Sequence, residues 1–297
     1  MEQTKKVILF GCTGNLGKQL AAELTRQGYD VTGVVRNKVK AQEMQDLVKH
    51  TVIAAVTDPA SLEGICHNFP IVISALGKSV SPKEKSKPSF WEIDYEANNH
   101  ILNEALKSGA EKFVYVSALG AENYPHLAYF EAHHRFAEKL KVSRINYSII
   151  KPPALFSAFL DLVDMAKKGQ LITMGKGDKR TNPIYEGDLA KICVASINQT
   201  NVEIEAGGTE VWSRHQINEI IQQAVNPAKK VRKVPFGLVK AGLPLIKLAS
   251  RNLYDKMAFF TQVMQHDIIA PKVGETKLRD YVKGNTMYAK STENISG

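Results

Sequence analysis

At 297 residues, the chain is long enough for one large α/β unit, or for a nucleotide-binding domain with a smaller lobe attached, and for a substantial core. Apolar residues make up 44% and charged residues 23% of it, close to the averages of soluble domains, which excludes disordered and fibrous classes. The formal net charge of +9 suits nucleic acid, an anionic surface or a phosphorylated small ligand, but the bases come in short scattered groups without aromatic interleaving, so nucleic acid is not an expected partner.

The opening stretch MEQTKKVILF carries no small-residue cleavage site, and no apolar run approaches the roughly 18 residues that a bilayer span needs. Neither export nor a membrane span is expected. Cys12, Cys66 and Cys193 lack metal-ligand spacing, and an odd number of distant cysteines suits a reducing, cytoplasmic compartment better than a disulfide framework. No metal site is expected.

The elements then follow in order. KVILF (6–10) reads as a first strand, and Leu16, Leu20, Ala21 and Leu24 set one apolar face on the next helix, which Gly28 ends. YDVTGVV (29–35), HTVIAAV (50–56) and IVISAL (71–76) read as strands two to four. A Lys-rich, Pro-containing loop (81–89) is a candidate mobile segment, and residues 91–107 have helical spacing. KFVYVS (112–117) is strand five, a helix covers 128–140, and YSIIK (147–151) is strand six, stopped by Pro152-Pro153.

This alternation predicts βαβ units around a doubly wound parallel sheet, a Rossmann fold, over residues 1–151. A smaller C-terminal substrate-binding lobe, interleaved with that core, is expected over 152–297. It begins with a helix near 158–168, a Gly/Lys-rich turn at 175–178 and a helix over 187–198. The strand-like VEIEAGG (202–208) is a candidate to return to the sheet. Residues 234–281 mix apolar and basic side chains in one or two amphipathic helices, a pattern that more often caps a core than binds a membrane.

Between the first strand and its helix stands Gly11-Cys12-Thr13-Gly14-Asn15-Leu16-Gly17. In that position the first Gly permits a tight turn, the second lets the backbone approach a pyrophosphate, and the third lets helix and strand pack closely. The helix N-terminus offers free N–H groups to the anion. A dinucleotide is the expected cofactor. An NAD-selective protein carries an acid at the end of strand two to bind the ribose hydroxyls. Here that place holds Arg36, with Lys38 beside it. An Arg can pair with a 2′-phosphate through charge-assisted bonds, so NADPH is favoured over NADH.

With the Gly spacing, VISALG (72–77), FVYVSALGA (113–121), YSIIKPP (147–153), NPIYEGDLA (182–190) and GGTEVWSRHQI (207–217) in view, the chain resembles the atypical short-chain dehydrogenase/reductase superfamily, in particular the NmrA-like NAD(P)H-binding proteins. The resemblance implies that Ser74, Ala75 and Leu76 line the cofactor, that Asn98 lies beneath it, that Lys151 and Pro152 bind it, and that the Pro152-Pro153 turn walls the nicotinamide side. Two departures stand out: Ala54-Ala55 where relatives often have an acid near the adenine, and Lys151 where they often have Arg.

The resemblance also implies a catalytic set. Carbonyl-reducing relatives use a Ser to hold the oxygen, a Tyr to donate the proton, and a Lys four residues on that lowers the Tyr pKa. Ser117 and Tyr129 occupy the first two places, but the third holds His133. A His shares a helix face with the Tyr at that spacing and activates it only when protonated, a minor state at pH 7 for an unperturbed imidazole. Leu155, Phe156 and Phe159, with Met174, are candidate walls for a small apolar carbonyl or enone, although such a set is more often core. Asp188 is expected to cap or support its helix.

Two functions follow: an NADPH-dependent oxidoreductase with Ser117, Tyr129 and His133 at its centre, or a non-catalytic NAD(P)-binding sensor or assembly protein with a protein partner, as among the NmrA-like regulators.

Overall fold

The computed structural model describes residues 5–284; of the opening stretch read above for targeting, residues 1–4 lie outside them. In chain order the elements are β1 (Lys6–Phe10), α1 (Asn15–Arg26), β2 (Asp30–Val35), α2 (Lys38–Met44), β3 (His50–Ile53), β4 (Ile71–Ser74), α3 (Asn98–Lys107), β5 (Lys112–Val116), α4 (Ala128–Lys141) and β6 (Asn146–Lys151). There follow α5 (Leu160–Lys167), β7 (Ile172–Met174), β8 (Arg180–Thr181), α6 (Glu186–Ala195), β9 (Val202–Glu205), β10 (Trp212–Ser213), α7 (Arg214–Val225), β11 (Arg232–Val234), α8 (Phe236–Ala249) and α9 (Arg251–Val263). Among the described residues no helix is long and apolar enough to cross a membrane.

The chain divides into two compact units, one of residues 1–79, 86–152 and 186–205 and one of 80–85, 153–185 and 206–297. The first holds a seven-stranded sheet in the order β3-β2-β1-β4-β5-β6-β9, parallel at every pairing. This is the doubly wound Rossmann arrangement, with the strand order reversing between β1 and β4. The strands are apolar runs because helices cover both faces. α1 and α6 pack together, as do α3 and α4. Ile8, Phe10, Val72, Ile101, Phe113, Tyr115, Phe136 and Ile149 form the core of this unit.

Local sequence explains the boundaries. α1 ends where Gly28 takes φ +83°, with Gly28 N–H donating to Thr25 O and Tyr29 N–H to Leu24 O, the paired bonds of a Schellman stop. The edge strand β3 keeps only its first four expected residues, because it pairs with β2 alone and leaves His50, Val52 and Ile53 exposed. The helix expected over 91–107 opens with a π-helical turn, Trp91–Ala97. The strand at Val202 does return to the sheet, with Lys151 opposite Glu205.

In the second unit β10 pairs with β8 and β11 with β7. Two or three residues each, these strands give no legible period, and α2 and α7 have no counterpart among the expected elements. The segment 80–85, part of the loop expected to be mobile, is instead tied down. Lys256, 2% exposed, donates to Ser81 O at 2.9 Å and Glu84 O at 2.6 Å, and Ser81 donates to Asp161 at 2.5 Å.

Candidate functional site

The Gly-rich turn lies where the strand order reverses. Gly11 takes φ +77°, and a Cβ there would meet Ala75 O at 2.6 Å and Leu76 N at 2.8 Å. A Cβ on Gly17 would meet Gly11 O at 2.0 Å and Cys12 Cα at 2.7 Å. These two glycines are therefore required by the fold itself: the first for its dihedral and its contact with the end of β4, the second for helix packing.

Gly14 has no such reason. Its φ of −74° and ψ of 168° suit any residue, and a Cβ would meet only Gly11 O, at 3.4 Å. It caps α1 with no side-chain bond, and the first turn of α1 holds no acid. Lys18 N–H is the first to bond back into the helix, to Gly14 O at 2.9 Å. The backbone at Thr13 to Gly17 thus offers donors and a bare Cα face, which is what a pyrophosphate needs. Leu16 points the other way, into the core.

Arg36 follows β2 on the edge where Gly11 follows β1, since Phe10 pairs with Val34. Arg36 and Lys38 are both exposed, and Asn37 between them accepts Lys40 N–H at 2.9 Å to start α2. Beyond β3, Ala54 N–H bonds Val35 O and Ala55 N–H bonds Ser61 Oγ, so neither position presents an acid.

At the end of β4, Ala75 and Leu76 are partly exposed and carry the contact with Gly11. Ser74 is fully buried and donates to Asn98 Oδ1 at 2.5 Å, while Asn98 Nδ2 donates to Asp94 O at 3.0 Å. Ser74 thereby braces the strand end. The Lys151 ammonium pairs with Glu203 and lies 4.0 Å from Glu122. Pro152 is buried and accepts Leu119 N–H at 3.0 Å.

Ser117, Tyr115, His133 and Tyr129 form one chain of neighbours. The Ser117 Oγ is buried and makes no hydrogen bond among the described residues, although it lies near enough to favour the Tyr115 phenolate. Tyr115 OH and His133 Nδ1 are 2.6 Å apart, and the rings of His133 and Tyr129 meet edge to face at 4.6 Å. Phe90 packs on the other side of Tyr129 at 5.5 Å. Burial lowers the His133 pKa to about 4 and raises that of Tyr129. His133 is therefore a neutral partner of Tyr115, in line with an imidazole that is protonated only as a minor state at pH 7.

Two members of this cluster escaped the sequence reading. Tyr115 shares a strand face with Ser117 at spacing two, and a Tyr in a central strand needs a polar partner. That signal was available. Asp94 sits in the π-helical turn, a feature frequent at functional sites, and no sequence pattern marks that turn. Its Oδ1 accepts Lys78 N–H at 2.8 Å, its Oδ2 is buried with no partner among the described residues, and burial lifts its pKa well above the carboxylate range, with Tyr115 and Tyr129 close enough to feel its charge.

Elsewhere the structure removes rivals. Burial raises the Cys12 thiol to about 11 and those of Cys66 and Cys193 to about 12, so none supplies a thiolate nucleophile. Of the candidate substrate walls, Phe156 and Phe159 belong to the second unit's core with Val163, Ile217, Ile221 and Leu278. Leu155 stays partly exposed, its backbone bridging to Ile184. Met174 is partly exposed. Asp188 is buried in the first turn of α6, 3.7 Å from Lys191.

A family model described as NAD(P)H-binding matches residues 11–200. The chain is 28% identical over 260 residues to a maize (Zea mays) protein named divinyl chlorophyllide a 8-vinyl-reductase, chloroplastic, covering 79% of this chain and 63% of the relative. It is 24% identical over 238 residues to the photosystem II assembly factor Ycf39 of Guillardia theta, covering 78% and 74%. It thus spans less than two thirds of the maize reductase. An NADPH-dependent quinone oxidoreductase from Escherichia coli, solved with NADPH, shares the fold with a TM-score of 0.71 at 18% identity, over 94% of this chain and 99% of that one.

Proposed function

The chain belongs to the NAD(P)H-binding family, and on that premise we propose that it is an NADPH-dependent reductase delivering hydride to a conjugated acceptor, such as an enone, a quinone-like carbonyl or a vinyl group attached to a π system. The observation that carries the cofactor half is Gly14, a glycine that the fold does not require at the open N-terminus of α1. Thr13 to Gly17 would hold the pyrophosphate, with Ala75 and Leu76 alongside, and Arg36 and Lys38 would hold the 2′-phosphate. The bound dinucleotide supplies the hydride.

The choice of acceptor rests on protonation. Tyr129 has a neutral imidazole beside it and a raised pKa, so it offers an O–H hydrogen bond rather than a ready proton. Ser117 offers a second hydroxyl. A saturated ketone taking hydride becomes a localised alkoxide that needs a proton at once. A conjugated acceptor spreads the same charge over several atoms, so that two neutral donors suffice to hold it while water supplies the proton. The names of the maize and E. coli proteins agree with such acceptors. A reducing compartment such as the cytoplasm suits the three free thiols.

The neutral environment of Tyr129 also favours a second reading, an NAD(P)-binding assembly or sensor protein that turns nothing over, in line with the name of the Guillardia theta relative. One assay separates them: NADPH oxidation with quinone and enone acceptors against saturated ketones, alongside binding of both dinucleotides. Oxidation confined to the conjugated set supports the reductase. Tight NADPH binding without oxidation by any acceptor supports the second reading. Arg36→Ala should weaken NADPH about tenfold or more and leave NADH unchanged; equal loss for both removes the 2′-phosphate assignment.

A further inference from the structure

Helix α8 reads FGLVKAGLPLIKLA, and none of its 14 residues is buried. Leu238, Leu245 and Leu248 are 68%, 71% and 87% exposed. With Ala241 they recur at i, i+3, i+7 and i+10, so they form one stripe along one side of the helix. The partly covered side chains, Val239, Leu243 and Ile246 among them, lie on a different side, and α8 packs against α9. An apolar stripe left bare on a helix marks an interaction surface.

Charge says which kind. Between Asn226 and Ser250 stand Lys229, Lys230, Arg232, Lys233, Lys240 and Lys247, and no acidic residue, while Arg251 just beyond pairs with Asp255 at 3.0 Å. Lys240 and Lys247 are exposed, each with an aliphatic stem long enough to lie along an apolar surface while its ammonium stays in water. A second copy of the chain would bring the same bases against these, and like charges across an interface disfavour it. At 14 residues, α8 is shorter than the ~20 residues that span a bilayer. An apolar stripe flanked by lysines on a short helix suits one position, flat in the headgroup layer.

We propose that α8 is a docking helix for an anionic lipid surface, with Leu238, Leu245 and Leu248 entering the acyl boundary and the bases of residues 229–247 meeting the lipid phosphates. The surface shares no residue with the proposed dinucleotide site and does not depend on it.

The test is sedimentation of the full-length protein with vesicles of phosphatidylcholine alone and of phosphatidylcholine with phosphatidylglycerol, at low and high salt. The protein should partition to the anionic vesicles, less so at high salt. Leu245→Glu with Leu248→Glu should lower that partition about tenfold or more, because both the apolar gain and the charge match are lost. Unchanged thermal unfolding and NADPH binding would show that the variant is folded, and Leu245→Ser with Leu248→Ser replaces it if it is not. No partition to anionic vesicles overturns the proposal, as does equal binding to neutral ones. Binding that survives the leucine substitutions overturns it too, as does a dimer that they dissociate.

Discussion

His133 carries a stability consequence that can be worked out from its burial. The imidazole titrates at about 4 in the fold against 6.5 in the unfolded chain. Above pH 6.5 both states hold it neutral and it adds no pH dependence. Between 6.5 and 4 the unfolded chain takes up a proton that the native state refuses, so stability falls as pH falls, by about 1.4 kcal/mol per unit at full slope. Integrated from pH 7 to pH 5, His133 costs the fold about 2 kcal/mol. His133→Gln keeps a polar group facing the Tyr115 hydroxyl and removes the titration. Urea unfolding of both proteins at pH 7 and pH 5 measures it: the stability gap between wild type and variant should shift by about 2 kcal/mol in favour of the variant at the lower pH, all other groups cancelling. A gap that stays constant across the two pH values refutes the buried, neutral imidazole, and a shift in favour of the wild type at pH 5 would mark a cationic one.

Gly14→Ala should change stability by about 1 kcal/mol or less, since its backbone angles are ordinary, yet weaken NADPH about tenfold or more by placing a methyl where the phosphate approaches. Gly17→Ala should lose several kcal/mol, about 3 or more, because its Cβ meets backbone. Parallel thermal unfolding and NADPH titration check both, and a Gly14→Ala protein that binds NADPH normally would remove the pyrophosphate assignment. Asp94 is raised, not lowered, by burial, so the stability its protonated form contributes is present at low pH and lost as pH rises through its folded pKa. Asp94→Asn, which keeps an oxygen for Lys78 N–H, should therefore hold its melting temperature at alkaline pH better than wild type. A stability difference between wild type and variant that is equal at pH 4 and pH 9 would contradict that.

The sequence made legible whatever depends on local repetition. β1, β2, β4, β5 and β6 are apolar runs because helices cover both faces of the sheet, and their boundaries fall at Gly11, Arg36, Ala75, Ser117 and Pro152, where the run stops. Short or edge pieces were not legible. β8 is two residues long, and the last three expected residues of strand three leave the sheet because no strand lies beyond it. Phe156 and Phe159 could not be assigned from the local pattern, because an apolar pair after a Pro-Pro stop reads the same whether it lines a cavity or fills a core. What decides it is Ile217, Ile221 and Leu278, 58 to 122 residues away along the chain.

The same distance in sequence governs the chemistry. A reading of the helix alone sees Tyr129 and His133 one turn apart and asks whether the imidazole is charged. The answer lies on β5, where the Tyr115 hydroxyl meets His133 Nδ1, and in the π-helical turn, where Asp94 Oδ2 is buried with no hydrogen-bond partner among the described residues. A Lys at position 133 would have to bury an ammonium in that cluster, which is costly unless Asp94 ionises to pair with it. The two positions are therefore coupled. Restoring a Lys at 133 alone should destabilise the fold rather than activate Tyr129. Where Asp94 does ionise beside that Lys, the cluster would turn from a set of neutral donors into an ion pair, and the preference for acceptors that need no strong acid should weaken with it.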